Sequence, residues 1–159
     1  MNLQVIKKSL EEFTGASRRF EYRGTLNGAR VFDDYAHHPT EIKATISSAK
    51  NLPHNKIWVV FQPHTYSRTK SLWNEFAHTF EEADNVLLLD IYAAREKDDG
   101  ETNSESLADA VNLVSQNCMY VSSFENCEEY LKDNVKEGDI ILTIGAGTVT
   151  KISHNITNN

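Results

Sequence analysis

Ile57-Trp58-Val59-Val60-Phe61 is an unbroken run of five apolar residues, all β-branched or aromatic. It is too short for a buried helix, and as a strand it presents apolar side chains to both faces of a sheet. A chain built on such a strand must cover the sheet on both sides. Similar strand patterns are read at 85–90, 119–122 and 139–144, with the first run taken as 56–61. Between and after them lie stretches of helical spacing at 39–51, 67–80, 104–115, 124–133 and 146–155. Strands alternating with helices of this length predict an α/β fold with a mostly parallel sheet and helices on both faces. Ahead of this lie an amphipathic helical pattern over 3–13 and two strand-like segments, 19–22 and 29–33. The Asn27-Gly28 pair between those segments is a strong hairpin turn signal, so an N-terminal β-hairpin is expected. The polar stretch 97–103 reads as a loop, and the residues from about His154 as a frayed end.

Length suits one domain spanning 1–159. A formal net charge of −7 argues against general nucleic-acid binding. No apolar run approaches the roughly twenty residues that span a bilayer. The opening MNLQVIKKSLEEF lacks the apolar core of a signal peptide. Cys118 and Cys127, in strand and helix contexts, have no metal-like spacing and read as reduced packing residues. A cytoplasmic protein without a membrane partner is expected.

Chemistry concentrates where strands give way to helices. Asp33-Asp34-Tyr35-Ala36-His37-His38-Pro39-Thr40-Glu41 places carboxylates, a phenol and two imidazoles on a strand-to-helix turn. Open α/β sheets bind ligands at such turns. Pro39 suits the first turn of the helix, and His38 is expected to pack or hydrogen-bond there. A second turn, Gln62-Pro63-His64-Thr65-Tyr66-Ser67-Arg68-Thr69-Lys70, follows the apolar strand, with Ser67 as the expected N-cap. Its cations sit near a helix N-terminus, which attracts anions. Gly145-Ala146-Gly147 follows a strand but lacks the third glycine of a dinucleotide fingerprint. No Gly-Lys-Ser/Thr occurs anywhere in the sequence. The two glycines are read as a close backbone approach. His37, His38 and His64 do not have the spacing of a structural zinc site, and no metal ligand is assigned.

The two histidine-bearing turns resemble the Mur ligases of bacterial cell-wall synthesis. Phe13-Thr14-Gly15 with Arg18-Arg19-Phe20, LLLDIYAARE at 87–96, and GDIILTIGAG at 138–147 agree in the same order. The resemblance implies a Rossmann-like C-terminal domain of an ATP-dependent amide-forming ligase. It further implies that the full enzyme joins L-alanine to the lactyl carboxylate of UDP-N-acetylmuramate through an acyl phosphate. ATP and Mg2+ belong to that full-length enzyme, in upstream domains that this chain would meet as partners. None is held by this domain alone, which by itself is expected to be inactive. Met1 followed directly by a helical pattern fits a C-terminal domain set apart from those partners.

Carried over position by position, the resemblance puts Arg18 or Arg19 at the nucleotide phosphates and Asp34 at the nucleoside. Tyr35, His37, His64 and Arg68 fall around the amino-acid substrate, with Arg68 on its carboxylate, as a planar fork suits that anion. His37 and His64 are the candidates for orienting the amine or taking its proton; spacing does not choose between them. Tyr92 and Glu96 would shape a third turn. Thr65 stands where many members of the family carry Arg, so one basic contact is either lost or supplied elsewhere. A muropeptide-recycling ligase on the same scaffold, and a non-catalytic ligand-binding module, are the alternatives.

Overall fold

A computed structural model describes residues 17–157. The expected helix over 3–13 and the Phe13-Thr14-Gly15 segment lie outside the described residues. In chain order the elements are β1 (Glu21–Leu26), β2 (Ala29–Asp34), α1 (Pro39–Lys50), β3 (Ile57–Phe61), α2 (Tyr66–Ser71) and α3 (Trp73–Ala77). There follow β4 (Asn85–Leu88), α4 (Ser104–Val114), β5 (Cys118–Tyr120), α5 (Phe124–Asn134), β6 (Ile140–Ile144) and α6 (Thr150–Thr157). One six-stranded sheet runs in the order β1-β2-β6-β3-β4-β5. Among the described strands only β1 is antiparallel, closing the N-terminal hairpin on β2. This is the Rossmann-like α/β architecture expected from the alternation of strands and helices.

Period-two alternation divides the strands between two cores. Val59 and Phe61 of β3, Leu88 of β4 and Leu142 of β6 face Ile42 and Ile46 of α1, Phe76 of α3, and Leu107 and Val111 of α4. Trp58 and Val60 of β3, Leu87 of β4 and Ile141 of β6 face Cys127 and Leu131 of α5, and Ile152 and Ile156 of α6. Every β3 residue is buried, as a strand with apolar side chains on both faces requires. The Phe61 ring lies 5.6 Å from that of Phe76 and 5.3 Å from that of Phe80. Such aromatic packing makes Phe61 a rigid foot for the turn that follows it.

Three elements differ most from expectation. The first strand is Glu21–Leu26 rather than 19–22. Its register with β2 shifts between Tyr22 and Gly24, so Arg23 forms a bulge and breaks the alternation that reveals a strand. Asn27 and Gly28 do make the turn, both with positive φ, 52° and 83°, as the hairpin turn with two left-handed residues needs. The stretch expected as one helix over 67–80 is two short helices that break at Leu72, whose φ of −110° and ψ of 23° leave the helical range. Thr69 and Ser71 hydroxyls donate to the carbonyls of Thr65 and Arg68, a pattern that bends helices. The cap is Thr65, not Ser67. Finally, the last helix begins at Thr150 rather than 146 and is not frayed from His154, because Ile156 is anchored in the second core.

The polar loop after β4 is closed by Asp99, whose carboxylate accepts from the Thr102 hydroxyl at 2.6 Å and from the Thr102 and Glu101 amides at 2.7 and 2.9 Å. Those bonds, the Thr102 hydroxyl first, hold its carboxyl at about 2. A carboxylate lowered by folding favours the folded loop above its unfolded value near 3.9, and that contribution disappears as pH falls through the folded value. Amide-exchange protection of Glu101 and Thr102 should therefore persist at about pH 5 and fade between about pH 4 and pH 2. Protection that survived unchanged at pH 2 would contradict this account.

Candidate functional site

The parallel register sets the C-terminal ends of four strands level. Asp34 pairs with Ile144, Ile144 with Phe61, and Phe61 with Leu88. The four turns that leave these ends therefore emerge side by side, in the order β2, β6, β3, β4. The turns after β2 and β3 are separated by β6, roughly 9–10 Å from strand to strand. Side chains from the two can meet only over a small middle turn. Gly145-Ala146-Gly147 supplies it. Gly145 has φ of +152°, and an added Cβ would lie 2.8 Å from the Gln62 carbonyl oxygen. A Cβ at Gly147 would lie 2.6 Å from both Gln62 Oε1 and the Tyr92 ring. The glycines thus mark a close approach.

Over this middle turn, four residues singled out from sequence form one cluster. The Tyr35 and His37 rings meet edge-on at 5.5 Å, and those of His37 and His64 lie 6.0 Å apart. Arg68 Nη1 donates to His64 Nδ1 at 2.9 Å. Tyr92, from the turn after β4, packs 5.7 Å from His64 on its far side. Glu96 accepts from the Ser67 amide at 3.0 Å and from the Ser67 hydroxyl, which ties the third turn to the start of α2.

Local chemistry fixes the two histidines differently. Around His37, the Glu41 carboxylate accepts from the amides of His37 and His38 at 3.1 and 3.2 Å, and His38 Nδ1 accepts from the Thr40 amide. This is the cap of α1, with Pro39 in its first turn. His37 Nδ1 lies 3.1 Å from the Tyr35 carbonyl oxygen and 3.7 Å from the Glu41 carboxylate. Partial burial lowers the pKa of His64, and the nearby Arg68 and His37 charges lower it further, against a smaller opposing effect of Glu96.

Thr65, at the head of α2, has φ of +65°. That region is strained for a β-branched residue, by about 1–3 kcal/mol. It is held by the Thr65 amide donating to the Tyr92 carbonyl at 2.8 Å and by the Thr65 hydroxyl accepting from the Arg68 amide. Thr65 therefore positions the residue that bears the guanidinium, although it brings no charge of its own.

The nucleotide-side candidates separate. Arg18 turns inward: its guanidinium donates to Asp33 at 2.8 Å and to the Gly145 carbonyl at 2.6 Å, and lies 5.2 Å over the Tyr35 ring. Arg19 is exposed and lines a groove of about 350 Å3 with Phe20, Asp34, Glu41 and Thr45. Asp34 borders the groove while accepting from the amides of Phe20 and Ala36 and from the Thr45 hydroxyl. A separate depression of about 610 Å3 beside Trp58 and Tyr130 opens among residues flanking the N-terminal ends of the strands, away from all of this. Among the described residues no group of three or more His, Cys, Asp or Glu side chains could hold a metal. None of the described helices is long and apolar enough to cross a membrane.

Two residues given no role from sequence matter here. Gln62 is buried; its amide donates to the Thr148 hydroxyl and accepts from the Val149 amide, binding the second turn to the middle one. Its signal is an amide directly after a wholly apolar strand. Asp33, fully buried, joins Arg18 to Thr143 and Thr150. An acidic residue at the buried end of a strand is its signal.

The model of the Mur ligase glutamate ligase domain matches residues 18–147. A UDP-N-acetylmuramate–L-alanine ligase of Lachnospira eligens is 49% identical over 156 residues, covering 98% of this chain and 34% of the relative. One from Clostridium perfringens is 53% identical over 152 residues, covering 96% and 33%. The crystal structure of the UDP-N-acetylmuramate–alanine ligase of Thermotoga maritima superposes with a TM-score of 0.77 at 27% identity, over 99% of this chain and 33% of that one. The chain spans about a third of the length of the curated relatives it matches. With the family model covering most of its length, the chain belongs to the Mur ligases.

Proposed function

We propose that this chain is the C-terminal domain of the ligase that adds L-alanine to UDP-N-acetylmuramate, where it presents the amino acid and closes over the nucleotide. One observation carries the reading: Tyr35, His37, His64 and Arg68, from two turns far apart in sequence, gather at one strand edge. A guanidinium, two imidazoles and a phenol around a small space suit a short amino acid. Arg68 would hold its carboxylate with two parallel bonds. Relatives near 50% identity bear the name of the alanine ligase, which favours it over a muropeptide-recycling ligase.

The nucleotide side is a partial site. Arg19 and Asp34, in one groove, would meet the nucleotide at domain closure, while Arg18 holds the turns in register. ATP and magnesium, held by upstream domains, would supply the phosphoryl group that activates the carboxylate. Among the described residues no three His, Cys, Asp or Glu side chains converge into a preformed metal site, so magnesium would arrive with the phosphates it bridges, which need only one or two carboxylates beside them.

The chain alone should fold yet release no phosphate from ATP, with or without UDP-N-acetylmuramate and L-alanine. With most phosphate contacts elsewhere, its ATP affinity should be about millimolar, worth roughly −4 kcal/mol. Substrate-dependent phosphate release, or micromolar binding by calorimetry, would overturn the division of the site between domains.

A further inference from the structure

The hydrogen bonds of His37 and His64 dictate opposite tautomers. A carbonyl oxygen only accepts, so His37 Nδ1, 3.1 Å from the Tyr35 carbonyl, carries the proton. In the neutral ring Nε2 is then a bare acceptor. A guanidinium only donates, so His64 Nδ1, 2.9 Å from Arg68 Nη1, carries the lone pair. Its proton sits on Nε2, which is a donor. The Glu41 carboxylate lies 3.7 Å behind His37 Nδ1 and is itself fixed by the His37 and His38 amides. The Tyr35 carbonyl sets the ring's orientation, and the Glu41 carboxylate, beyond hydrogen-bond range, presents its negative charge to the side of the ring away from Nε2. Among the described residues no carboxylate accepts from the His64 and Thr65 amides in this way, and the charge of Arg68 beside the His64 ring opposes protonation more strongly than Glu96 favours it.

We infer that His37 is the group that takes the proton from the incoming amine, through Nε2, that Glu41 positions it, and that His64 orients the substrate as a donor and a prop for Arg68. This rests on the ligase reading above. The alanine ammonium gives one proton to His37 Nε2, and the freed lone pair forms the N–C bond at the acyl phosphate carbon. The carbonyl pair moves to oxygen. Collapse of the tetrahedral adduct restores the carbonyl and expels phosphate with the C–O pair. A second amine proton leaves on the phosphate, and His37 returns the first to solvent, leaving one hydrogen on the amide nitrogen.

Two experiments test this. Long-range proton–nitrogen correlation spectra of the chain at about pH 8 should show Nδ1–H at His37 and Nε2–H at His64; the reverse at either residue overturns the assignment. In the full-length ligase, His37→Ala should lower alanine-dependent kcat by about 100-fold or more. Hydroxylamine, already uncharged at neutral pH, should still trap the acyl phosphate at the wild-type rate. His64→Ala should mainly raise the alanine KM. Glu41→Gln, which can keep the amide bonds of the cap, should lower kcat less than His37→Ala and leave the alanine KM unchanged. A wild-type enzyme that forms no alanyl product defeats the ligase reading itself. An active wild type whose His37→Ala variant keeps alanine turnover, or loses hydroxylamine turnover as well, defeats only the role given to His37.

Discussion

Arg68→Ala in the full-length ligase should raise the alanine KM about ten- to a hundredfold, the equivalent of a lost charge-assisted bond of roughly 1.5–3 kcal/mol. The ATP KM should stay nearly unchanged, because the guanidinium stands over the His64 turn, on the other side of the middle turn from the groove of Arg19 and Asp34. Arg68→Lys should recover only part of the loss, since an ammonium cannot reproduce the planar fork. The alanine variant also frees His64 Nδ1, so the His64 tautomer should no longer be fixed. An Arg68 that served only to start α2 would leave every Michaelis constant unchanged and lower the melting temperature slightly. Steady-state kinetics with each substrate varied in turn separates the two outcomes.

How far the sequence anticipates this arrangement depends on whether each signal is local. The β3 strand and the Asn27-Gly28 turn are legible because a run apolar on both faces and a pair of left-handed residues each permit few conformations. The cluster of Tyr35, His37, His64 and Arg68 is legible as two polar turns at strand ends. What sequence cannot give is their distance, which depends on β6 inserting between β2 and β3 from the far end of the chain. The bulge at Arg23 and the break at Leu72 are hidden because each arises from bonds that periodicity does not report. The two histidines differ in the same way. His37 is fixed by a carbonyl two residues back, but His64 is fixed by the direction in which Arg68 points once Thr65 adopts its strained conformation. The adjacent aspartates divide by strand alternation: Asp34 turns toward Phe20 and α1, and Asp33 toward α6.

Asp33→Ala should be the most destabilising single change near the site, at about 3–5 kcal/mol. The Asp33 carboxylate has no exposed surface. It accepts from Arg18 Nε at 2.8 Å, from the Thr143 hydroxyl at 2.7 Å and from the Thr150 hydroxyl at 2.9 Å, with Arg23 3.6 Å away. The guanidinium groups are themselves largely enclosed, with 16% and 18% of their side-chain surfaces exposed. Removing the anion leaves one cation without its main partner and two hydroxyls without an acceptor. For a domain of this size the melting temperature should fall by roughly 6–20 °C. The loss should also reach the site, because the same Arg18 guanidinium holds the Gly145 carbonyl and covers the Tyr35 ring. A second variant separates Coulombic attraction from the penalty of an orphaned charge. Replacing both partners with apolar residues, Asp33→Leu with Arg18→Met, should restore a good part of the stability, since most of the cost of breaking a buried pair comes from the ion left behind. It should not restore the site, because methionine cannot donate to the Gly145 carbonyl. Thermal melts of the single and double variants, read beside the tautomer spectra of His37, would show the two effects part. If Asp33→Ala instead melted within a degree or two of the parent protein, Arg18 and Arg23 would have to find their stabilisation outside this network.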